Sequence, residues 1–316
     1  MEATPEIRVG TAGWSYKDWE GIFYPPEMHH RKQHPLEFVA RCFDMVEVNT
    51  SFYGHIKPHL AKLWSRKTAA VNPRFVFTAK LHRSFTHSPM AVMEPTSAAT
   101  IQPNDEDEAR AREGLEALAG EGKLGALLIQ FPVSYKNTSL NREYLDRLLR
   151  QFIEYPRVVE VRHASWDNPE TLTYFNQKNV AFCNIDQPVI GRSIEPTEHV
   201  TSSVGYVRLH GRNPGNSLGA FDRTAVRQRQ HDYLYSEAEL TEWFQRIEQV
   251  GRFAQRTFVV FNNDAAGKSF VNALQMRAMV RGVKSKAPMN LRRRYPVELE
   301  HFGPHYAEQQ SLFTAA

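Results

Sequence analysis

The sequence predicts an α/β fold, a closed TIM-type (β/α)8 barrel. Eight short apolar runs recur along the 316 residues, and helical patterns separate most of them. Strands alternating with helices imply parallel pairing through crossovers. The first run leads into Gly13-Trp14-Ser15-Tyr16, which lacks the glycine-rich fingerprint expected of a doubly wound dinucleotide-binding sheet.

Strands are expected at 7–10, 45–48, 75–79, 124–130, 158–161, 180–185, 204–209 and 257–261. Helices are expected at 36–43, 57–70, 106–119, 139–153, 169–178, 237–253 and 270–280. Ser139 is a modest cap, and Ser236 ahead of Glu237 and Glu239 puts acids into a first turn. No helical periodicity runs between Asp186 and Ser203, so the barrel is expected to be irregular between strands six and seven. Two connections, 84–105 and 212–235, exceed ordinary links and follow strands, which makes them candidate lids. The barrel domain is expected to span 7–281, followed by a basic extension over 282–316.

Hydrophobic residues make up 41% and charged residues 23%, as in globular proteins. No segment has the apolar length of a membrane span, and Met1 to Glu6 lacks the order of a signal peptide. Cys42 and Cys183, away from metal-finger spacing, read as reduced core thiols of a cytoplasmic protein. Much of the net charge of +4 sits in the tail, where Arg281, Lys284, Lys286 and Arg292-Arg293-Arg294 face only Glu298, Glu300 and Glu308. The near-neutral body gives little support to bulk attraction for nucleic acid.

Four strands end alike, in Val46-Glu47-Val48-Asn49, Val159-Glu160-Val161-Arg162-His163, Val207-Arg208-Leu209-His210-Gly211 and Val259-Val260-Phe261-Asn262-Asn263-Asp264. Alternate side chains point to opposite faces, so a polar face gathers at the C-terminal ends. These segments also carry a resemblance. Together with Gly10-Thr11-Ala12-Gly13-Trp14-Ser15-Tyr16, Ser51-Phe52-Tyr53, Gln130-Phe131-Pro132, Trp166, Arg212 and Tyr233-Leu234-Tyr235-Ser236, the chain resembles the YecE-like family, domain of unknown function 72. The resemblance covers about residues 7–281. It implies a TIM-type barrel and brings no reaction with it.

With the aliphatic parity packed outward, Glu47, Asn49, Thr78, Lys80, Gln130, Glu160, Arg162, Asn184, Asp186, Arg208, His210 and Asn262 are expected inside the barrel, towards the mouth where TIM barrels build sites. A structural ion-pair network is the competing reading. The expected catalytic residues are Glu160 and Asp186 as an acid/base pair, with His210 and Lys80 as further proton-transfer or charge-neutralising groups. Trp14, Tyr16, Asn49, Tyr53, Gln130, Arg162, His163, Trp166, Arg208, Arg212, Asn262 and Asn263 are expected to bind substrate. The forked arginines suit phosphate, and the aromatics suit stacked bases or sugar rings.

No cofactor is expected. A divalent metal is the alternative for Glu47, Glu160, Asp186, His210 and Asp264, opposed by the neighbouring cations. The stretch 264–269 ends in Gly-Lys-Ser but has Asn262 where a P-loop begins with glycine. The tail Gln309-Gln310-Ser311-Leu312-Phe313 is similar to the bacterial sliding-clamp-binding peptide, with Leu312 and Phe313 as anchors and Gln309 as polar hook. The expectation is therefore an enzyme of nucleic-acid metabolism acting on a phosphate-bearing substrate, DNA included. The alternatives are a sugar or sugar-phosphate isomerase or hydrolase, or a non-catalytic nucleic-acid-binding module.

Overall fold

Apolar strands buried on both faces need helices outside and a filled interior, and the chain supplies both. The computed structural model describes residues 6–26, Met28, 33–90, 95–214, 231–283 and 286–304. Eight parallel strands close into a barrel: β1 (Glu6–Ala12), β2 (Met45–Val48), β3 (Val76–Lys80), β4 (Leu124–Gln130), β5 (Arg157–Glu160), β6 (Ala181–Asp186), β7 (Val204–Leu209) and β8 (Arg256–Phe261). The barrel shuts where β8 pairs with β1, from Glu6 opposite Arg256 to Thr11 opposite Phe261. The TIM-type architecture expected from the sequence is thus the one observed. Val46, Val48, Val159, Val207, Leu209, Val259 and Phe261 are all fully buried on the helix-facing parity. Each contributes roughly 1.5–3 kcal/mol of burial.

The helices are α1 (Pro35–Cys42), α2 (Pro58–Ala69), α3 (Asp105–Gly120), α4 (Ser139–Gln151), α5 (Pro169–Gln177), α6 (Glu237–Phe253), α7 (Lys268–Arg281) and α8 (Met289–Arg294). Proline opens α1, α2 and α5, where its missing N–H costs nothing. Ser236 and Glu239 form a capping box on α6, while Thr138 rather than Ser139 caps α4. The register between β3 and β4 shifts at Phe77 and Thr78. Gly125 lies at this shift, where a Cβ would come within 2.6 Å of the Phe258 ring. No described helix is long and apolar enough to cross a membrane.

Between β6 and β7 a polar segment replaces the helix, as its missing periodicity implied. Asn184 holds it: Nδ2 donates to the His199 carbonyl (2.9 Å), while Oδ1 accepts from His199 N–H (2.7 Å) and the Thr197 hydroxyl (2.8 Å). This corrects the expected inward parity of β6. Asn184, and with it Asp186, belongs to the outer face. Cys183 faces the interior, where Glu160 and Arg208 act on it.

The chain from 286 to 304 packs onto the barrel, with Ala287, Leu291 and Leu299 buried and the Tyr295 hydroxyl bonded to Ala266 O (2.8 Å). The compact body therefore continues past residue 281. The peptide 309–313 lies outside the described residues, as does most of the 212–235 connection.

Candidate active site at the barrel mouth

The inward parity stacks two polar layers. In the lower one, Arg208 reaches across the barrel, Nη2 to Glu47 Oε1 at 2.8 Å and Nη1 to Glu160 Oε2 at 2.5 Å. The Tyr206 hydroxyl adds a bond to Glu47 Oε2 (3.0 Å) and lies 2.8 Å from Thr78 Oγ1. Glu47, Glu160, Arg208 and Tyr206 are wholly shut off from solvent. Burial would raise the Glu160 carboxyl, but Arg208 and Arg162 outweigh it and hold the group well below the usual range. It is a fixed anion, unsuited to donating protons near neutrality.

Two residues further along the same strands, one step of the pleat, stand the rim groups. Asn49 follows Glu47, Lys80 follows Thr78, Arg162 follows Glu160, His210 follows Arg208 and Asn262 follows Val260. Arg162 straddles Glu160 Oε1 through Nε (2.8 Å) and Nη2 (2.7 Å), and its side chain is 27% exposed. Lys80 Nζ donates to Gln130 Oε1 (3.0 Å) and lies 5.0 Å from the Phe52 ring centre. Burial, then Arg208, pull the Lys80 ammonium down from the usual lysine range to about 7. The amine is therefore desolvated, which the sequence did not reveal.

Asn262 Nδ2 meets His210 Nδ1 at 2.9 Å. On its other side, His210 Nε2 lies 3.4 Å from Glu160 Oε1 and 3.3 and 3.4 Å from the Arg162 and Arg208 guanidiniums. Burial, Arg162 and Arg208 keep His210 well below the usual histidine range. Asn49 Nδ2 donates to the Tyr16 hydroxyl (3.2 Å), and its buried Oδ1 has no partner among the described residues. An orphaned acceptor at the rim is a place for a ligand's donor.

A further rim residue was missed. His87 comes from the 84–105 connection, set edge-on against Phe52 with ring centres 4.9 Å apart. Burial first, then Arg162, Arg83 and Lys80, lower it to about 4. Its only sequence signal was a place in a candidate lid after β3.

Other expected site residues go elsewhere. Asp186 is bound by Arg212 Nε (2.9 and 3.1 Å), and burial, partly offset by Arg212, raises its carboxyl above the usual range. Arg212 also meets Glu239 (3.3 Å) and Glu242 (3.4 Å), so three carboxylates engage it as a buttress to α6. The expected Glu160–Asp186 pair is not brought together, because the two residues face opposite sides of the barrel wall. His163 Nδ1 lies 2.8 Å from Ser165 Oγ and accepts from Ser165 N–H in a turn. Asn263 Nδ2 donates to Tyr233 O and Asn272 Oδ1. Trp166 bonds to Tyr135 O (2.8 Å), and Trp14 packs edge-on to Trp64 outside β3. Tyr53 stays half exposed beside Phe52. The Gly-Lys-Ser stretch ties Lys268 to Asp232 (2.6 Å).

One group among the described residues could hold a metal, and it is not in the mouth. His55, His82 and Asp107 bring their donor atoms within 4.8 Å of one another. Glu47, Glu160, Asp186, His210 and Asp264 form no such group among the described residues.

Comparison with known proteins agrees with this architecture. The model of a family described as "Protein of unknown function DUF72" matches residues 8–294. A DUF72 crystal structure from Thermotoga maritima is 31% identical, with a TM-score of 0.71 over 87% of this chain and 99% of that one. One from Enterococcus faecalis is 24% identical, with a TM-score of 0.71 over 87% and 95%. The UPF0759 protein YunF of Bacillus subtilis is 25% identical over 276 residues, 85% of this chain and 93% of that protein.

Proposed function

The chain belongs to the DUF72 family of proteins of unknown function, and from that premise we propose that it is an enzyme taking a phosphate-bearing substrate at the barrel mouth, with Lys80 as its proton-transfer group. The observation that carries this reading is a desolvated amine and an arginine standing above a closed ion-pair layer. Among the described residues, Lys80, Arg162 and Arg208 stand against Glu47 and Glu160 there, His210 is neutral, and the Asp264 carboxylate is turned to the Tyr16 hydroxyl. A protonated Lys80 is bound by the neutral Gln130 and makes no ion pair among the described residues, and an anionic ligand would supply one. Carboxylate acid/base chemistry loses support, because Glu160 is fixed as an anion by two arginines. Lys80 near 7 is matched to proton transfer at neutral pH.

The Phe52 ring, 5.0 Å from Lys80 Nζ and with Tyr53 edge-on to it, favours a nucleotide or nucleic-acid end over a bare sugar phosphate, since a base can stack on an aromatic face there. We extend the proposal to recruitment by a bacterial sliding clamp through Gln309, Leu312 and Phe313. Calorimetry with nucleoside monophosphates, sugar phosphates and short single-stranded DNA tests the substrate class. The nucleotide or DNA ligands should bind at least tenfold tighter than the sugar phosphates; Lys80→Met should weaken both classes, and Phe52→Ala should abolish the difference. Equal affinity across the panel, or none, contradicts it. Deleting 309–313 should remove clamp capture in a pull-down. An undiminished pull-down ends that part of the proposal.

A further inference from the structure

Beside the mouth, the loops after β2 and β3 meet the start of α3. His55 Nε2 and Asp107 Oδ1 are 3.1 Å apart, and His82 Nδ1 is 3.8 Å from the same oxygen. The two imidazole rings face each other with centres 4.3 Å apart. All three residues are half-buried, and their donor atoms lie within 4.8 Å of one another. Asp107 is aimed by its own helix. Its Oδ2 accepts from Asn104 N–H (3.2 Å) in the capping box that begins α3, which leaves Oδ1 turned towards the histidines.

A second turn in the molecule serves as an internal control. His82 and His163 both accept from the backbone N–H two residues on, at 3.4 and 3.1 Å, and both lie 2.8 Å from that serine's hydroxyl. His163 faces the charges of Lys136 and Arg192, so there the turn needs no acid. His82 has the longer backbone bond and adds an imidazole and a carboxylate, with Arg83 as the cation bearing on it. Turn geometry therefore accounts for the histidine but not for the company it keeps.

We propose that His55, His82 and Asp107 form a site for a divalent transition metal, zinc, cobalt or nickel, with two imidazoles and one carboxylate as donors. An ion held tetrahedrally at ~2.0–2.2 Å needs donors ~3.3–3.6 Å apart, and the observed 3.1 and 3.8 Å bracket that span. The bound ion takes the His82 Nδ1 lone pair from both Ser84 contacts, the N–H at 3.4 Å and the hydroxyl at 2.8 Å, and the freed hydroxyl or a water fills the fourth position. It pins the loop that begins at Lys80 and carries His87 onto α3, so its role is to position the rim rather than to react.

The test is cobalt titration of the chelator-treated full chain, followed by visible absorption, with the zinc content of chelator-free protein measured in parallel. One equivalent should bind and give the intense bands of a four-coordinate site. His55→Ala and Asp107→Asn should each weaken binding about 100-fold or more, while His163→Ala leaves it unchanged. Asparagine at position 107 keeps an acceptor for the helix cap, so that variant stays interpretable if His55→Ala does not fold. Absence of stoichiometric binding to the wild type, or unchanged binding in Asp107→Asn with fold retained, overturns the assignment.

Discussion

Two polar layers sit one pleat apart on the same strands and have opposite characters. In the lower layer Arg208, Glu47, Glu160 and Tyr206 are closed to solvent, and both carboxylates have charged partners, although Arg208 Nε has no partner among the described residues. In the rim Arg162 is partly exposed, Asn49 Oδ1 lacks a partner among the described residues, and Lys80 and His87 are both held low by burial among cations. Identical strand parity thus yields a closed ion-pair layer in one case and, in the next, the open rim where the proposed site lies. What separates them is charge satisfaction rather than residue type.

The largest expected effect breaks the lower layer. Arg208→Met leaves Glu47 and Glu160 buried without their shared partner, and should cost about 3–5 kcal/mol in urea denaturation. A loss under 1 kcal/mol would mean that water reaches this layer and that the two layers do not differ. At the rim the sign reverses. Lys80→Met should lower turnover of any cleaved or isomerised phosphate ester by about 10²–10⁴ while leaving the protein at least as stable as before.

The pH dependence of that stability follows from the depressed lysine. Below pH 7 both states are protonated, and the folded state bears the whole penalty of burying the charge. From about 7 to 10.5 the unfolded chain binds more protons, so wild-type stability rises with pH through this window. The gain from Lys80→Met should be greatest below pH 7 and should shrink towards pH 10.5, as urea midpoints across that range will show.

Arg162→Gln sharpens the contrast from the ligand side. Inorganic phosphate affinity should fall about tenfold or more, with a smaller salt dependence, because the positive charge beside Lys80 is lost. The smallest effect is expected from Asp186→Asn. Bound to Arg212 on the outer side of β6, it should change phosphate affinity less than twofold. A loss of turnover comparable to that of Lys80→Met would restore the carboxylate pair as the acid/base machinery.

The fold and the ring were legible because both rest on strand periodicity. Glu47, Glu160, Arg208, His210 and Lys80 stand where alternation puts them. Alternation failed at β6, where Asn184 and Asp186 are polar for a different reason, since the outer face there meets an irregular segment and Arg212 instead of a helix. Nor could spacing separate arginines that bind ligands from those that neutralise acids. Arg162, Arg208 and Arg212 look alike in sequence, yet one is at the rim, one is sealed and one braces α6. His87 and the His55–His82–Asp107 group join loops apart in sequence, which the pairing of β2 with β3 and the packing of α3 beside α2 bring together.

The most direct test is an NMR titration of the lysine side chains, with Lys80 assigned by its absence in Lys80→Met. One lysine resonance should titrate near 7 in the free protein and move up by a unit or more when phosphate is added. If every lysine titrates near 10, or if phosphate leaves the Lys80 titration unmoved, the rim is not a desolvated anion site and the contrast between the two layers fails.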